Sequence, residues 1–198
     1  MTTLNIANLN PNTDFSTSIA LQSPSYVTSP GAPIQMLYYR TDERSTWSAP
    51  VGDPSVANRV LPIGLTITPK KANSLIVMTW MINGEIHYNT QWVIYLNNLP
   101  INTASYQGYN STPASSGRWV GYVSGIYDGV ADTNSTMEHF FIQYSMVPNT
   151  TSTLTFYPAI KSSTSAAYTF YLNRTAGALG QDSYENAIST GVIQEIAQ

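Results

Sequence analysis

The sequence predicts an all-β protein: a jelly-roll β-sandwich with an extended N-terminal arm. Three observations carry that expectation. Apolar residues alternate with a period of two over short segments such as Glu138–Val147, the pattern of a strand with one buried face. Clusters of Pro, Gly, Asn and Asp separate these segments at short intervals, as in sandwiches and barrels. Long connections (42–60, 98–117 and 174–187) alternate with short ones. A jelly roll needs such connections because its strands cross between two sheets, whereas an up-and-down barrel uses mostly tight hairpins.

Residues 1–33 form the expected arm. They hold one charged residue, Asp14, and prolines at 11, 24, 30 and 33. Proline lacks an N–H and fixes φ, so this stretch does not make a long helix or a central strand. Leu4, Ile6, Leu9, Phe15, Ile19, Leu21, Tyr26 and Val27 are more apolar residues than a purely solvated tail needs. The expectation is an arm laid along a partner.

The body, residues 34–198, opens with a strand at Ile34–Tyr39. Arg40-Thr41-Asp42-Glu43-Arg44, the densest charge cluster, reads as a solvated turn, and Trp47–Asn58 as loop. In the next segment Ile63, Leu65 and Ile67 point one way and Gly64, Thr66 and Thr68 the other, until Pro69 ends the ladder. Leu75–Ile82 differs. Leu75, Val77 and Met81 lie on one face, and Ile76, Met78, Trp80 and Ile82 on the other. A strand apolar on both faces has to be covered on both. The chain's second sheet supplies one cover, and a second copy of the chain is expected to supply the other. Ile76, Met78, Trp80 and Ile82 are expected to meet their copies at that oligomer contact, or else the second sheet's residues, in a buried apolar layer. Further strands are expected at Gln91–Leu96, Arg118–Tyr127, Glu138–Val147, Thr153–Tyr157, Tyr168–Asn173 and Ser189–Ile196.

Composition narrows the function. Charged residues are 10% of the chain, against about 25% in an average globular protein. Thr, Ser, Asn and Tyr carry the surface instead, which suits static contacts. Eight basic residues and a net charge of −3 argue against nucleic-acid binding, which wants a basic stripe. The longest apolar run, Leu75–Ile82, is far short of the roughly 20 residues of a membrane helix. Met1–Asn5 has no basic start or apolar core, so no signal peptide is expected. Cysteine is absent, which removes disulfides and thiolate metal sites.

Two stretches carry a resemblance. One is Leu65-Thr66-Ile67-Thr68-Pro69-Lys70-Lys71-Ala72-Asn73-Ser74-Leu75-Ile76-Val77. The other runs from Tyr171-Leu172-Asn173-Arg174-Thr175 through Gly180-Gln181-Asp182-Ser183-Tyr184-Glu185-Asn186 to Ile188–Ile196. In order and spacing they resemble virion proteins of tailed bacteriophages, especially phages of cyanobacteria and marine bacteria. The likeness covers about residues 34–198. It implies a trimeric jelly roll similar to the tumour-necrosis-factor fold, used in capsid decoration proteins and in tail fibres. One departure is Gln194, where the family often has an apolar residue before Glu-Ile. Independently of the family, Glu195 on a strand needs a cation or water; Arg174 is its nearest candidate partner, and two separately solvated side chains are the other reading.

Catalytic chemistry finds little footing. The two histidines are His87 and His139. No Gly-x-Ser-x-Gly elbow is present, and His87 near Glu85 lacks a third zinc ligand. His139 faces away from the apolar side of its strand and reads as a surface or interface residue. Asp128, Asp132 and Glu138 lie near turns without the paired-carboxylate setting of a glycosidase. No enzyme activity, cofactor or metal is expected. Tyr106, Tyr109 and Trp119, with Tyr122 and Tyr127, could stack on sugar rings or pack under long loops.

The expected function is that of a non-enzymatic virion protein assembled in the host cytoplasm: a homotrimer that decorates and cements a capsid by contacting the major capsid protein. The alternative is a tail-fibre or spike knob that contacts tail proteins and binds a host-surface glycan. About 33 non-repetitive residues precede the domain, where a fibre usually has a long repetitive shaft. That favours decoration.

Overall fold

The computed structural model describes residues 29–86, 90–101, 121–125, 135–178 and 185–198. Twelve strands run through them: β1 (Pro33–Thr41), β2 (Thr46–Ala49), β3 (Asn58–Arg59), β4 (Leu65–Ile67), β5 (Leu75–Ile86), β6 (Thr90–Leu96), β7 (Leu99–Pro100), β8 (Val123–Ser124), β9 (Glu138–Met146), β10 (Leu154–Ser162), β11 (Tyr168–Leu172) and β12 (Ser189–Ile196). The helical elements among these residues are single 3-10 turns at Pro54–Val56, Leu61–Ile63 and Ala176–Ala178. The protein is all-β, built from curled antiparallel sheets as in a β-sandwich.

Two six-stranded sheets face each other. The first runs β1-β12-β5-β11-β2, with β9 also paired to β5. The second runs β3-β10-β6-β7, with β4 added to β10 and β8 to β6. β5 organises the first sheet. Its Leu75–Met81 segment pairs with β12, and Ile76–Gly84 pairs with β9. A strand has two edges, so β12 and β9 flank it on opposite sides. Beyond the end of β12, Gly84–Ile86 pair with β11. Gly84 therefore carries partners on both edges, and a Cβ there would lie 2.4 Å from the Tyr171 carbonyl oxygen and 2.5 Å from the Phe170 ring. Only glycine lets the strands approach this closely.

The core lies between the sheets. Ile76, Met78, Trp80 and Ile82 are each 0% exposed and join one cluster with Leu65, Ile67, Ile94, Phe156 and Ile160 of the second sheet. Of the two covers expected for these four, another copy of the chain or the second sheet, the structure gives the second sheet, which corrects their placement at an oligomer contact. Trp80 fills the centre and donates its Nε1 hydrogen to the Ile63 carbonyl at 2.9 Å, since a buried indole N–H must find an acceptor. At one end Trp92 packs edge-on to Phe170, with centroids 5.1 Å apart, and tilted against Phe140 at 5.3 Å.

Several local expectations change. Ile63 ends a 3-10 turn in which Pro62 occupies a first-turn position, where the fixed φ of proline is pre-set for a helical turn. Segment 42–60, read as loop, contains β2 and β3, and β2 pairs through Trp47 with Phe170. Of the strand expected at Arg118–Tyr127, the described part is the short β8.

Glu195 is not paired with Arg174. It is fully buried and accepts hydrogen bonds from the backbone N–H groups of Lys70 (2.9 Å) and Lys71 (2.9 Å) and from Gln35 Nε2 (2.6 Å). Arg174 instead donates to the carbonyls of Thr175 (3.1 Å) and Ala176 (3.3 Å) and stacks over the Tyr171 ring at 4.7 Å. A carboxylate held by three N–H donors needs no cation, because charge-assisted hydrogen bonds replace its hydration. The cradle joins β12 to the turn before β5, 125 residues earlier in the chain.

Candidate functional site

The outward faces of the two sheets differ, and the difference defines the candidate site. On the second sheet the outward residues Val93, Tyr95 and Ala159 are at most 3% exposed and cluster with Ala57. The chain covers this face itself. Asp53 starts the covering 3-10 turn by accepting from the Ser55 hydroxyl and from the Ser55 N–H at 2.7 Å, and these bonds, the hydroxyl's first, lower its carboxyl pKa. The Tyr95 hydroxyl lies 2.9 Å from the Pro54 carbonyl and 2.8 Å from that of Ser55, and anchors the turn. Beside it Lys161 is 1% exposed and donates Nζ to the Ser162 carbonyl at 2.5 Å. Burial lowers the Lys161 pKa, and Asp53 partly opposes the shift.

The outward face of the first sheet lies open in the described chain. Cross-strand register lays it out in rows over β1, β12, β5 and β9. One row is Met36, Gln194, Val77 and Ser145. The next is Tyr38, Val192, Thr79 and Gln143. The third is Arg40, Thr190, Met81 and Phe141. Tyr38 is 41% exposed, Met81 50% and Phe141 57%. Of these twelve side chains only Arg40, at one edge, is charged. Three strand spacings make the face about 14 Å wide, and two steps of two residues make it about 14 Å long. Gln194 lies here and donates Nε2 to Met36 Sδ at 3.0 Å. The face also continues onto Ile188, which is 43% exposed.

One end of the face is fixed by a polar chain. Asn83 Nδ2 donates to the Ile188 carbonyl at 2.6 Å, and Asn83 Oδ1 meets His139 Nδ1 at 2.5 Å. The Asn83 N–H donates to Ser189 Oγ at 2.9 Å, and Ser189 Oγ donates to Asn173 Oδ1 at 2.5 Å. Asn173 Nδ2 in turn reaches the carbonyls of Thr41 and Glu43 at 2.9 and 3.0 Å. Asn173 is held at a positive φ of 57°, a conformation that asparagine tolerates better than most residues. His139 itself is exposed.

The expected sites divide as follows. Ile76, Met78, Trp80 and Ile82 lie together, but inside the sandwich. The open side of β5 carries Val77, Thr79 and Met81, half of the two-sided apolar pattern. Tyr106, Tyr109, Trp119, Tyr127 and His87 fall outside the described residues. Tyr122 is described: it meets Tyr144 edge-on at 5.5 Å, and burial raises its pKa. Among the described residues no group of three or more His, Asp and Glu side chains is placed to hold a metal ion. No protein-family model matches the chain, and no curated protein is similar to it in sequence.

Proposed function

We propose that this chain is a structural protein of a bacteriophage particle: a jelly roll of the tumour-necrosis-factor kind that forms a homotrimer and cements the capsid. The observation that carries the proposal is the contrast between the two outer faces. One is sealed by the chain's own turn, and the other is open, a mixture of apolar and uncharged polar side chains with one charge, Arg40. Contiguous exposed apolar surface marks an interaction site, and depletion of charge marks the centre of an interface. An uncharged face has no need of a partner of opposite sign, so a second copy of itself fits it. The four-strand patch is smaller than the roughly 800 Å² that each partner contributes to a standard interface. The contact therefore extends past it, onto Ile188 and the strand ends.

Strand order supports the fold reading. Take β3 with β4, and β7 with β8, as single broken strands, and leave β2 and β11 as an added pair. The chain then makes eight strands. The first, eighth, third and sixth form one sheet, and the second, seventh, fourth and fifth form the other. A jelly roll of two Greek keys has eight strands in two sheets. The arm leaves beside the end of β12, where Gly31 N donates to the Ala197 carbonyl at 2.8 Å and Ala197 N to the Ala32 carbonyl at 2.9 Å. In the proposed cement the arm reaches from there over neighbouring shell subunits.

Particles assembled without this chain test the proposal. A cement stabilises the assembled shell by binding it, so such particles should adsorb to cells normally but release DNA at lower temperature. Particles of unchanged heat resistance that fail to adsorb would instead identify a tail-fibre or spike knob binding a host glycan.

A further inference from the structure

Trp80 and Trp92 are both fully enclosed in the core, but their indoles fare differently. Trp80 Nε1 reaches the Ile63 carbonyl. Trp92 Nε1 meets no acceptor among the described residues. Thr90 precedes Trp92 by two residues on the same face of β6. It is 0% exposed, and its Oγ1 is likewise unpaired among the described residues. A third polar group faces these two from the other sheet. Glu138 is buried on the inward face of β9, two residues before Phe140, whose ring lies 5.3 Å from that of Trp92. The three belong to one end of the sandwich. Glu138 pairs with Gly84, two residues before Ile86 on β5. A Cβ on Gly125 would lie 2.5 Å from Thr90 Oγ1 and 3.6 Å from Ile86 Cγ2, so Thr90 and Ile86 flank the same point.

We propose that this end of the core is a binding site for one internal water molecule, which accepts from Trp92 Nε1 and the Thr90 hydroxyl and donates to the Glu138 carboxylate. Packed sheets stand about 10 Å apart. Where Trp92 meets Phe140 and Phe170, aromatic rings fill that gap. In the Thr90 row the side chain is too short to cross it. The donor set then selects the occupant. An indole N–H only donates and a carboxylate only accepts, so the bridging group has to accept on one side and donate on the other. A bare cation or a fully ionised anion does one of these alone. Water does both, and buried waters typically make about three hydrogen bonds to groups the chain leaves unpaired. A carboxylate offers about four lone-pair positions, so Glu138 accepts from the water alongside its other contacts. Without the water, the indole N–H and the hydroxyl would each bear the desolvation penalty of a buried unpaired group. The water thus ties β6 of the second sheet to β9 of the first, and the site lies within one chain.

NOE spectra of the full chain test the site, with the Trp92 indole signal assigned through its contacts to the Phe140 and Phe170 rings. The Trp92 Nε1 hydrogen should show a direct cross-peak to a long-lived bound water. The Trp80 hydrogen, seated on the Ile63 carbonyl, should show none. Thr90→Val, which keeps the side chain's shape, supplies a second measurement whose sign decides. With the water in place, valine removes one of its partners, and the melting midpoint should fall by about 2–6 °C. In a dry site, valine would instead relieve an unpaired hydroxyl and raise the midpoint. A Trp92 hydrogen without the water cross-peak, or a midpoint that holds or rises in Thr90→Val, overturns the inference.

Discussion

Trp80 and Met81 are neighbours in sequence on opposite faces of one strand, so substituting each in turn separates folding from assembly. Trp80 is fully enclosed and donates to the Ile63 carbonyl. Trp80→Ala removes a large buried ring, a change that costs about 3–5 kcal/mol. Leaving the Ile63 carbonyl without its donor adds about 1–3 kcal/mol if no water replaces the indole. For a chain of this size each kcal/mol moves the melting midpoint by about 2–4 °C. A fall of at least 6 °C is expected even from the packing term alone. Met81 is half exposed, so Met81→Asp should change the stability of the separated chain by no more than about 0.5 kcal/mol. At a contact between copies the same change would bury an unpaired carboxylate, at a cost of about 2–5 kcal/mol. That weakens association by about thirtyfold or more. Urea unfolding at low protein concentration and sedimentation over a concentration series read the two effects separately. A large loss of folding stability in Met81→Asp with its oligomer intact would refute the assignment of faces.

Other expectations follow from single residues. Gly84→Ala should destabilise by about 1–3 kcal/mol in urea unfolding, because the added methyl meets the Tyr171 backbone, which cannot step aside as a flexible side chain can. Removing residues 1–28 should leave the circular dichroism and unfolding midpoint of the body unchanged, yet stop its incorporation into particles; equal incorporation would exclude the arm from assembly. Lys161 has a folded pKa below its ordinary value because burial disfavours its ammonium. The unfolded chain thus binds the lysine proton more tightly. Stability should rise as pH climbs from the depressed folded pKa toward about 10.5 and be lower beneath that window. Tyr39 and Tyr122 have raised pKa values and act with the opposite sign near pH 10. The lysine effect is therefore read as the difference between the native chain and Lys161→Met, and a difference that does not vary with pH would count against it.

Much of the fold was legible because burial of one face imposes a period of two. Leu65 and Ile67, and Phe140, Ile142, Tyr144 and Met146, point inward as their alternation requires. The sidedness of β5 was not legible. Its sequence divides Ile76, Met78, Trp80 and Ile82 from Leu75, Val77 and Met81, but it does not say which set faces the core. That depends on β6 and β10, which supply the opposing residues from elsewhere in the chain. β2 and β3 are four and two residues long, too short for any periodicity to register. The setting of Glu195 was equally hidden. Two of its donors are backbone N–H groups, which every residue but proline carries, so no side-chain signal marked them. Of the candidate face, the apolar members on β5 could be read from sequence. Their rows with Tyr38, Val192 and Phe141 required the register.

The placement of β12 also governs when the molecule can be completed. This strand sits between β1 and β5 and pairs with both, although it is made long after either. From Met81 to Ser189 the chain adds 108 residues (189 minus 81). At about 5–20 residues per second, synthesis of that length takes roughly 5 to 22 seconds. Throughout that interval β1 and β5 wait with unpaired edges, and the Lys70–Lys71 turn lacks the carboxylate that pins it. Such edges invite pairing with other nascent chains. The sheet that presents the open face is thus the last to close, so an unfinished chain has no assembled surface to offer its neighbours.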